Sequence, residues 1–258
     1  MRVWITGASS GIGEACALRY ASEGASLVLT SSNRAKLEQV ASRCKGAAGV
    51  EVLPCDFSHP EGIEDLTRQA WDAFGGLDVA FLNAGISQRT NVEDTSMETV
   101  RRIMEVDFFA PVAAAKALLP LMLAGGGGKI AVTTSIAGRF GFPLRCAYSS
   151  AKHALYGFFE TLSAEYSDRG IKVTLVCPGR VRTAISLRAL AAGGEPYGRM
   201  DPGQEGGLGT DAAARRIVRA ISAGRREVLV GRFELIMVYI KRFFPGLCAR
   251  LSKRIKAV

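Results

Sequence analysis

Short runs rich in Val, Ile and Leu alternate with helix-period segments from one end of this chain to the other, and few folds accommodate that rhythm. Apolar runs at residues 2–6, 26–30, 50–54, 78–82, 129–134, 172–177 and 227–230 read as strands. Helical periodicity occupies 12–23, 34–43, 61–74, 97–123, 147–168 and 211–223 between them. Strands that are apolar on both faces and joined by helices imply a parallel sheet covered on each side, so the fold expected is α/β and doubly wound, with seven strands in one domain. Two helix starts carry a hydroxyl followed by Glu at capping-box spacing, Ser58 with Glu61 and Thr95 with Glu98. Two segments break the rhythm: a glycine run at 125–128, read as a turn, and the Gly-rich stretch 186–210, read as a long mobile substrate loop.

With 258 residues, 48% of them hydrophobic and 22% charged, the chain can bury one sizeable core and is neither disordered nor collagen-like. The six cysteines (Cys16, Cys44, Cys55, Cys146, Cys177, Cys248) are scattered, without a CxxC pair or a histidine cluster. They read as small buried hydrophobes in a reducing compartment, and no metal site is expected. The first strand begins directly after Met1, which gives the expectation of a cytoplasmic protein without a targeting segment. The apolar run 235–240 is too short to span a bilayer, so no crossing segment is expected. The net charge of +9 is concentrated at the end, where residues 232–258 hold seven Lys and Arg against Glu234 alone. A basic tail on a balanced body argues against nucleic acid as the partner.

Chemistry is concentrated in a few places. The first strand runs into Thr6-Gly7-Ala8-Ser9-Ser10-Gly11-Ile12-Gly13 and then a helix. Glycines there allow a tight turn and close approach, and the helix N-terminus offers N–H groups and positive dipole to a pyrophosphate. The second strand ends in Thr30-Ser31-Ser32-Asn33-Arg34, without the acid that would read a ribose 2′-hydroxyl, which favours NADP over NAD. The alternative is that Ser32 or Asn33 caps the next helix and Arg34 is merely solvated. Tyr148 and Lys152 stand four residues apart on one helix face, where an ammonium favours ionisation of a neighbouring phenol and makes it a usable acid or base. Ser135 follows the preceding strand, so its hydroxyl can reach the same pocket.

In these motifs the chain resembles the single-domain branch of the short-chain dehydrogenase/reductase family, over residues 3–231. The resemblance implies a Rossmann-type domain over 1–231 in which Gly7, Ser9, Ser10, Gly11, Ile12 and Gly13 form the cofactor turn, and Ser31, Ser32 and Arg34 face the adenosine ribose. It also implies that Asp56 and Phe57 meet the adenine, that Asn83, Ala84 and Gly85 form the second motif, and that Pro178, Gly179, Val181 and Thr183 seat the nicotinamide carboxamide. Ser135, Tyr148 and Lys152 match the catalytic set, with Lys152 also holding the nicotinamide ribose. One departure stands out: Asp107 occupies the place where the family usually has Asn, and a relay role in altered form is expected of it.

The activity implied is hydride transfer between a nicotinamide and a carbonyl or secondary alcohol. A catalytically weak dinucleotide-binding regulator or scaffold is the alternative, and a sugar-nucleotide epimerase is disfavoured by the lack of a large C-terminal domain. Phe140, Phe142, Pro143 and Leu144 lie between Ser135 and Tyr148 and suggest an apolar pocket, hence a lipophilic substrate. The family resemblance implies a homodimer or homotetramer. In the extension 232–258, Phe233, Ile236, Met237, Ile240 and Phe244 recur at helical spacing, and Leu247, Leu251 and Ile255 continue opposite Arg250, Lys253 and Lys256. Such a basic amphipathic tail either packs on the protein or touches a membrane surface.

Overall fold

The computed structural model describes residues 1–59 and 61–255. Seven strands, β1 (Arg2–Thr6), β2 (Ser26–Thr30), β3 (Gly49–Val52), β4 (Val79–Leu82), β5 (Gly128–Thr133), β6 (Ile171–Pro178) and β7 (Glu227–Val230), form one sheet. Each lies within two residues of its expected place. Their order is β3-β2-β1-β4-β5-β6-β7, and every pairing is parallel. The order in which strands are added reverses between β1 and β4, which opens a crevice at the carboxyl ends of those strands.

Alternate side chains go to opposite layers. Val3, Ile5, Leu27 and Leu29 pack against α1 (Gly11–Ser22), α2 (Arg34–Arg43) and α8 (Thr210–Ser222), while Trp4, Val28, Ala80 and Leu82 pack on the other face. That face is covered by α3 (Ile63–Asp72), α5 (Ala110–Ala124) and α6 (Cys146–Tyr166). The remaining helices are α4 (Met97–Met104), α7 (Pro202–Glu205), α9 (Ile236–Phe243) and α10 (Pro245–Ser252).

Both expected capping boxes are displaced. The Ser58 hydroxyl donates to Asp56 Oδ1 at 2.8 Å, closing a local turn, and Gly62 caps α3 with φ 90°. At α4 the cap is Ser96, which accepts from the Thr99 N–H, while Thr95 Oγ1 donates to the Asn91 carbonyl and accepts from Gln88 Nε2. The expected helix over 97–123 is real but not uniform: α4 and α5 are joined by a π-helical turn, Glu105–Phe109. The composite Met97–Ala124 is long and apolar enough to cross a membrane by length and composition. Its apolarity has a local explanation, since Ala110, Ala114, Ala115, Leu118 and Met122 are buried in the core.

The stretch 186–210 is a pinned strap. Leu190 exchanges backbone hydrogen bonds with Ser87 and Arg89, Leu208 does so with Arg180 and Arg182, and α7 lies within it. The tail divides its apolar residues between two faces. Leu235, Met237, Val238, Ile240, Cys248 and Ile255 pack on Ile136, Phe140 and Cys177. Phe233, Ile236, Tyr239, Phe243, Phe244 and Leu247 stay exposed. Lys256, placed on the tail's basic face from the sequence, lies outside the described residues.

Candidate active site

A cavity of about 340 Å³ opens along the carboxyl ends of the strands. At one end are Ser31, Ser32, Asp56 and Phe57, in the middle Gly7, Ser9, Ser10, Gly11 and Ile12, and at the other end Ser135, Tyr148 and Lys152. Asn83, Ala84 and Gly85 line it after β4, and Pro178, Gly179, Val181 and Thr183 after β6. Two expected contacts are not in its wall. Gly13 is a packing glycine, where a Cβ would collide with the Gly7 carbonyl and the Asn83 amide. Arg34 sits 3.7 Å from Glu38 on the outside of α2, and Asn33 caps that helix by accepting from the Lys36 N–H at 2.9 Å.

The turn after β1 needs glycine at position 7: its φ is 65°, and a Cβ would stand 2.9 Å from Ala84 Cα. Thr6 ties the two motifs together, its Oγ1 accepting from the N–H groups of Asn83 (2.9 Å) and Ala84 (3.0 Å). The Asn83 side chain braces the strand ends, donating to the Thr6 carbonyl and accepting from Thr133 Oγ1. Asp56 has one oxygen engaged by Ser58, whose N–H and hydroxyl hold the carboxyl below the usual carboxylate range.

The catalytic candidates are buried and converge. Lys152 Nζ donates to the Thr133 carbonyl at 2.9 Å, lies 3.1 Å from Asp107 Oδ2, and stands 5.7 Å from the centre of the Tyr148 ring. Ser135 Oγ accepts from the Ala137 N–H at 3.1 Å and opens on the same cavity as Tyr148. Asp107 sits on the π-helical turn, a distortion that re-aims one residue of a long helix. Its Oδ1 accepts from the Ile86 N–H at 2.7 Å. Complete burial raises the Asp107 carboxyl above the usual carboxylate range, against the opposing pull of Lys152 and of that N–H. Gly85 gives this pair room, since a Cβ there would approach both Asp107 oxygens and Lys152 Nζ to 3.3–3.4 Å.

Comparison with known proteins agrees with this arrangement. Residues 1–191 match the short chain dehydrogenase family profile. The chain is 36% identical over 255 residues to dehydrogenase/reductase SDR family member 7B of Mus musculus, covering 96% of this chain and 79% of that one. It is 34% identical over 251 residues to dehydrogenase/reductase SDR family protein 7-like of Drosophila melanogaster, covering 95% and 77%. This chain belongs to the short-chain dehydrogenase/reductase family. Solved relatives agree. A Burkholderia phymatum short chain dehydrogenase/reductase in complex with NAD superposes with TM-score 0.84 at 25% identity, covering 95% of this chain and 94% of that one. The Thermococcus sibiricus alcohol dehydrogenase complexed with 5-hydroxy-NADP superposes with TM-score 0.76 at 28% identity, covering 90% and 96%. As a member of this family the protein is an NAD(P)-dependent oxidoreductase. The Gly7 cradle and the cavity leading from it to Tyr148 fit an extended dinucleotide.

The substrate end of this dehydrogenase differs from the sequence expectation. Phe140 and Phe142 stack on each other at 5.0 Å and join the cluster beneath the tail, and neither they nor Pro143 and Leu144 line the cavity. Those four residues therefore do not build the pocket expected of them. The cavity wall instead includes Ile86 and Ile185, the polar and cationic Arg188 and Gln204 from the expected substrate loop, and Ser87, Arg89 and Arg145, none of them singled out as a site residue from the sequence. Arg188 reaches back from the strap to donate to Ser10 Oγ at 2.8 Å. Buried Gln88 was also missed. Its Oε1 accepts from the N–H groups of Ala147 (2.8 Å) and Tyr148 (3.1 Å), capping the helix that carries the catalytic candidates.

Proposed function

We propose that this enzyme interconverts a carbonyl and a secondary alcohol, with Tyr148 passing the proton and NADP preferred over NAD. The observation that carries the reading is the convergence on one cavity of the Ser135 hydroxyl, the Tyr148 phenol and a Lys152 ammonium held from behind by Thr133 and Asp107. In reduction the phenol donates its proton to the substrate oxygen, and in oxidation the phenolate removes it. Ser135 hydrogen-bonds the same oxygen and fixes its direction. Lys152 supports the ionised phenol and holds the nicotinamide ribose, while Asp107 orients that ammonium. When bound, the dinucleotide supplies or accepts the hydride.

The cofactor preference rests on two features. No carboxylate follows β2 to meet a ribose 2′-hydroxyl. Ser31 and Ser32 line the cavity there and offer hydroxyl donors to a 2′-phosphate. Arg188 on the strap and the N-terminus of α1 together suit the pyrophosphate. The exposed aromatic side chains of the tail, beside Lys241, Arg242 and Arg250, support peripheral contact with an anionic lipid surface. Self-association through the face bearing exposed Met97 and Phe109 completes the reading.

Absorbance screening of NADPH and NADH oxidation against a carbonyl panel tests this directly. Turnover with at least about tenfold higher kcat/KM for NADPH is expected, since repulsion or pairing of one phosphate amounts to a charge-assisted contact. Dinucleotide binding without turnover of any carbonyl would favour a regulator on the same fold.

A further inference from the structure

The substrate end of the cavity holds more positive charge than its own residues balance. Arg89, from the segment after β4, is fully engaged: its Nε and Nη2 donate to Asp201, and its Nη1 donates to Ser87 Oγ at 2.9 Å and the Gln88 carbonyl at 2.5 Å. Arg145, three residues before Tyr148, makes a single hydrogen bond among the described residues, from Nη2 to Asp201 Oδ2 at 3.1 Å, and its guanidinium lies 5.3 Å from the centre of the Phe142 ring. Its Nε is buried and lacks a partner among the described residues. Asp201 is the one carboxylate paired with either arginine among the described residues, so two guanidinium groups share one negative charge. Burial, then repulsion from Arg89 and Arg180, outweighs the pull of Tyr148 and Asp201 and lowers the Arg145 guanidinium to about 10.

A cation in that position is costly unless an anion completes it. The opening it faces is the cavity shared with Ser135 and Tyr148. The dinucleotide phosphates have their own partners elsewhere, at the turn after β1. Ser32 and Ser135 follow strands separated in the sheet by β1 and β4, which puts the adenosine end roughly 14 Å from the reacting end at the usual strand spacing.

We propose that Arg145, backed by Arg89 and Asp201, is an anion-recognition site for the substrate, and that the natural substrate is a carbonyl or alcohol carrying a carboxylate or phosphate-type group near the reacting carbon. This rests on the oxidoreductase reading above. Arg145 selects among substrates, and Asp201 keeps its guanidinium aligned while tying the strap to the pocket.

The test uses the full chain with NADPH and matched pairs: α-, β- and γ-oxo acids against their methyl esters, and an oxoalkyl phosphonate against its dimethyl ester. For at least one spacing, kcat/KM for the anion exceeds that of its ester by about tenfold or more, as a charge-assisted contact implies. Arg145→Gln lowers the anion's kcat/KM by at least about tenfold more than the ester's, and Arg145→Lys, which keeps the charge without the fork, restores part of the difference. Carboxylate or phosphonate preference identifies which anion fits. Esters turned over as well as anions at every spacing, or Arg145→Gln depressing both equally, would overturn the proposal. If no ketone is reduced, binding of the same oxo acids to the NADP-loaded protein decides. Saturable binding abolished in Arg145→Gln sustains the anion site while counting against the oxidoreductase reading, and no binding sinks the site.

Discussion

Lys152 lies 3.1 Å from the Asp107 carboxyl, which competes for it with the Tyr148 phenol that we propose it assists. Asp107→Asn removes the competing negative charge and leaves the ammonium freer to stabilise the phenolate. The pH profile of kcat/KM for alcohol oxidation is then expected to move to lower pH. An unchanged profile and rate would remove Asp107 from the account. That Ser135, Tyr148 and Lys152 meet in one cavity was legible in the sequence, because their order relative to strand ends is itself a pattern. Arg89 and Asp201 were not, because partners 112 residues apart leave no local signature. Arg34 misled for a related reason: nearness in sequence to the end of β2 does not turn a side chain inward, and α2 directs it toward Glu38.

At the scale of elements, the helix bearing Tyr148 begins with no side-chain cap of its own, and Gln88 supplies one from another segment. Replacing it by the similarly sized, non-accepting Met leaves the Ala147 and Tyr148 N–H groups buried without partners, at a cost of about 1–3 kcal/mol. Urea or thermal denaturation measures this, and a variant as stable as wild type would show that Gln88 is not the cap. Strands were readable because burial on both sheet faces leaves runs of apolar residues. The π-helical turn was hidden, because one widened turn barely disturbs the apolar periodicity that identifies the helix around it. At both expected caps the hydroxyl is engaged elsewhere, Ser58 with Asp56 and Thr95 with the Asn91 carbonyl.

For the whole molecule, the tail is both structure and surface. Its inner residues cover Ile136, Phe140 and Cys177, and buried Glu234 accepts from the N–H groups of Arg180 (2.8 Å) and Arg232 (3.1 Å), so removing the tail would disturb the segment after β6. The outer face is separable. Joint Phe243→Ser and Phe244→Ser substitution keeps the inner contacts and removes two exposed rings, each worth roughly 1.5–3 kcal/mol when fully buried. Co-sedimentation with anionic vesicles should fall by about tenfold or more, and wild-type binding should weaken with added salt. Equal partitioning of both proteins would dismiss lipid contact. Sequence periodicity revealed the amphipathic tail but counted Met237 and Phe244 on one stripe, because Pro245 breaks the helix and the packing divides it.

If the phenol of Tyr148 carries the proton, as proposed, Tyr148→Phe tests it with the least disturbance. kcat is expected to fall by about 10²–10⁴-fold while the dissociation constant for NADPH, measured in parallel by fluorescence, stays within roughly threefold. A Tyr148→Phe enzyme that reduces its carbonyl substrate at close to the wild-type rate would contradict it.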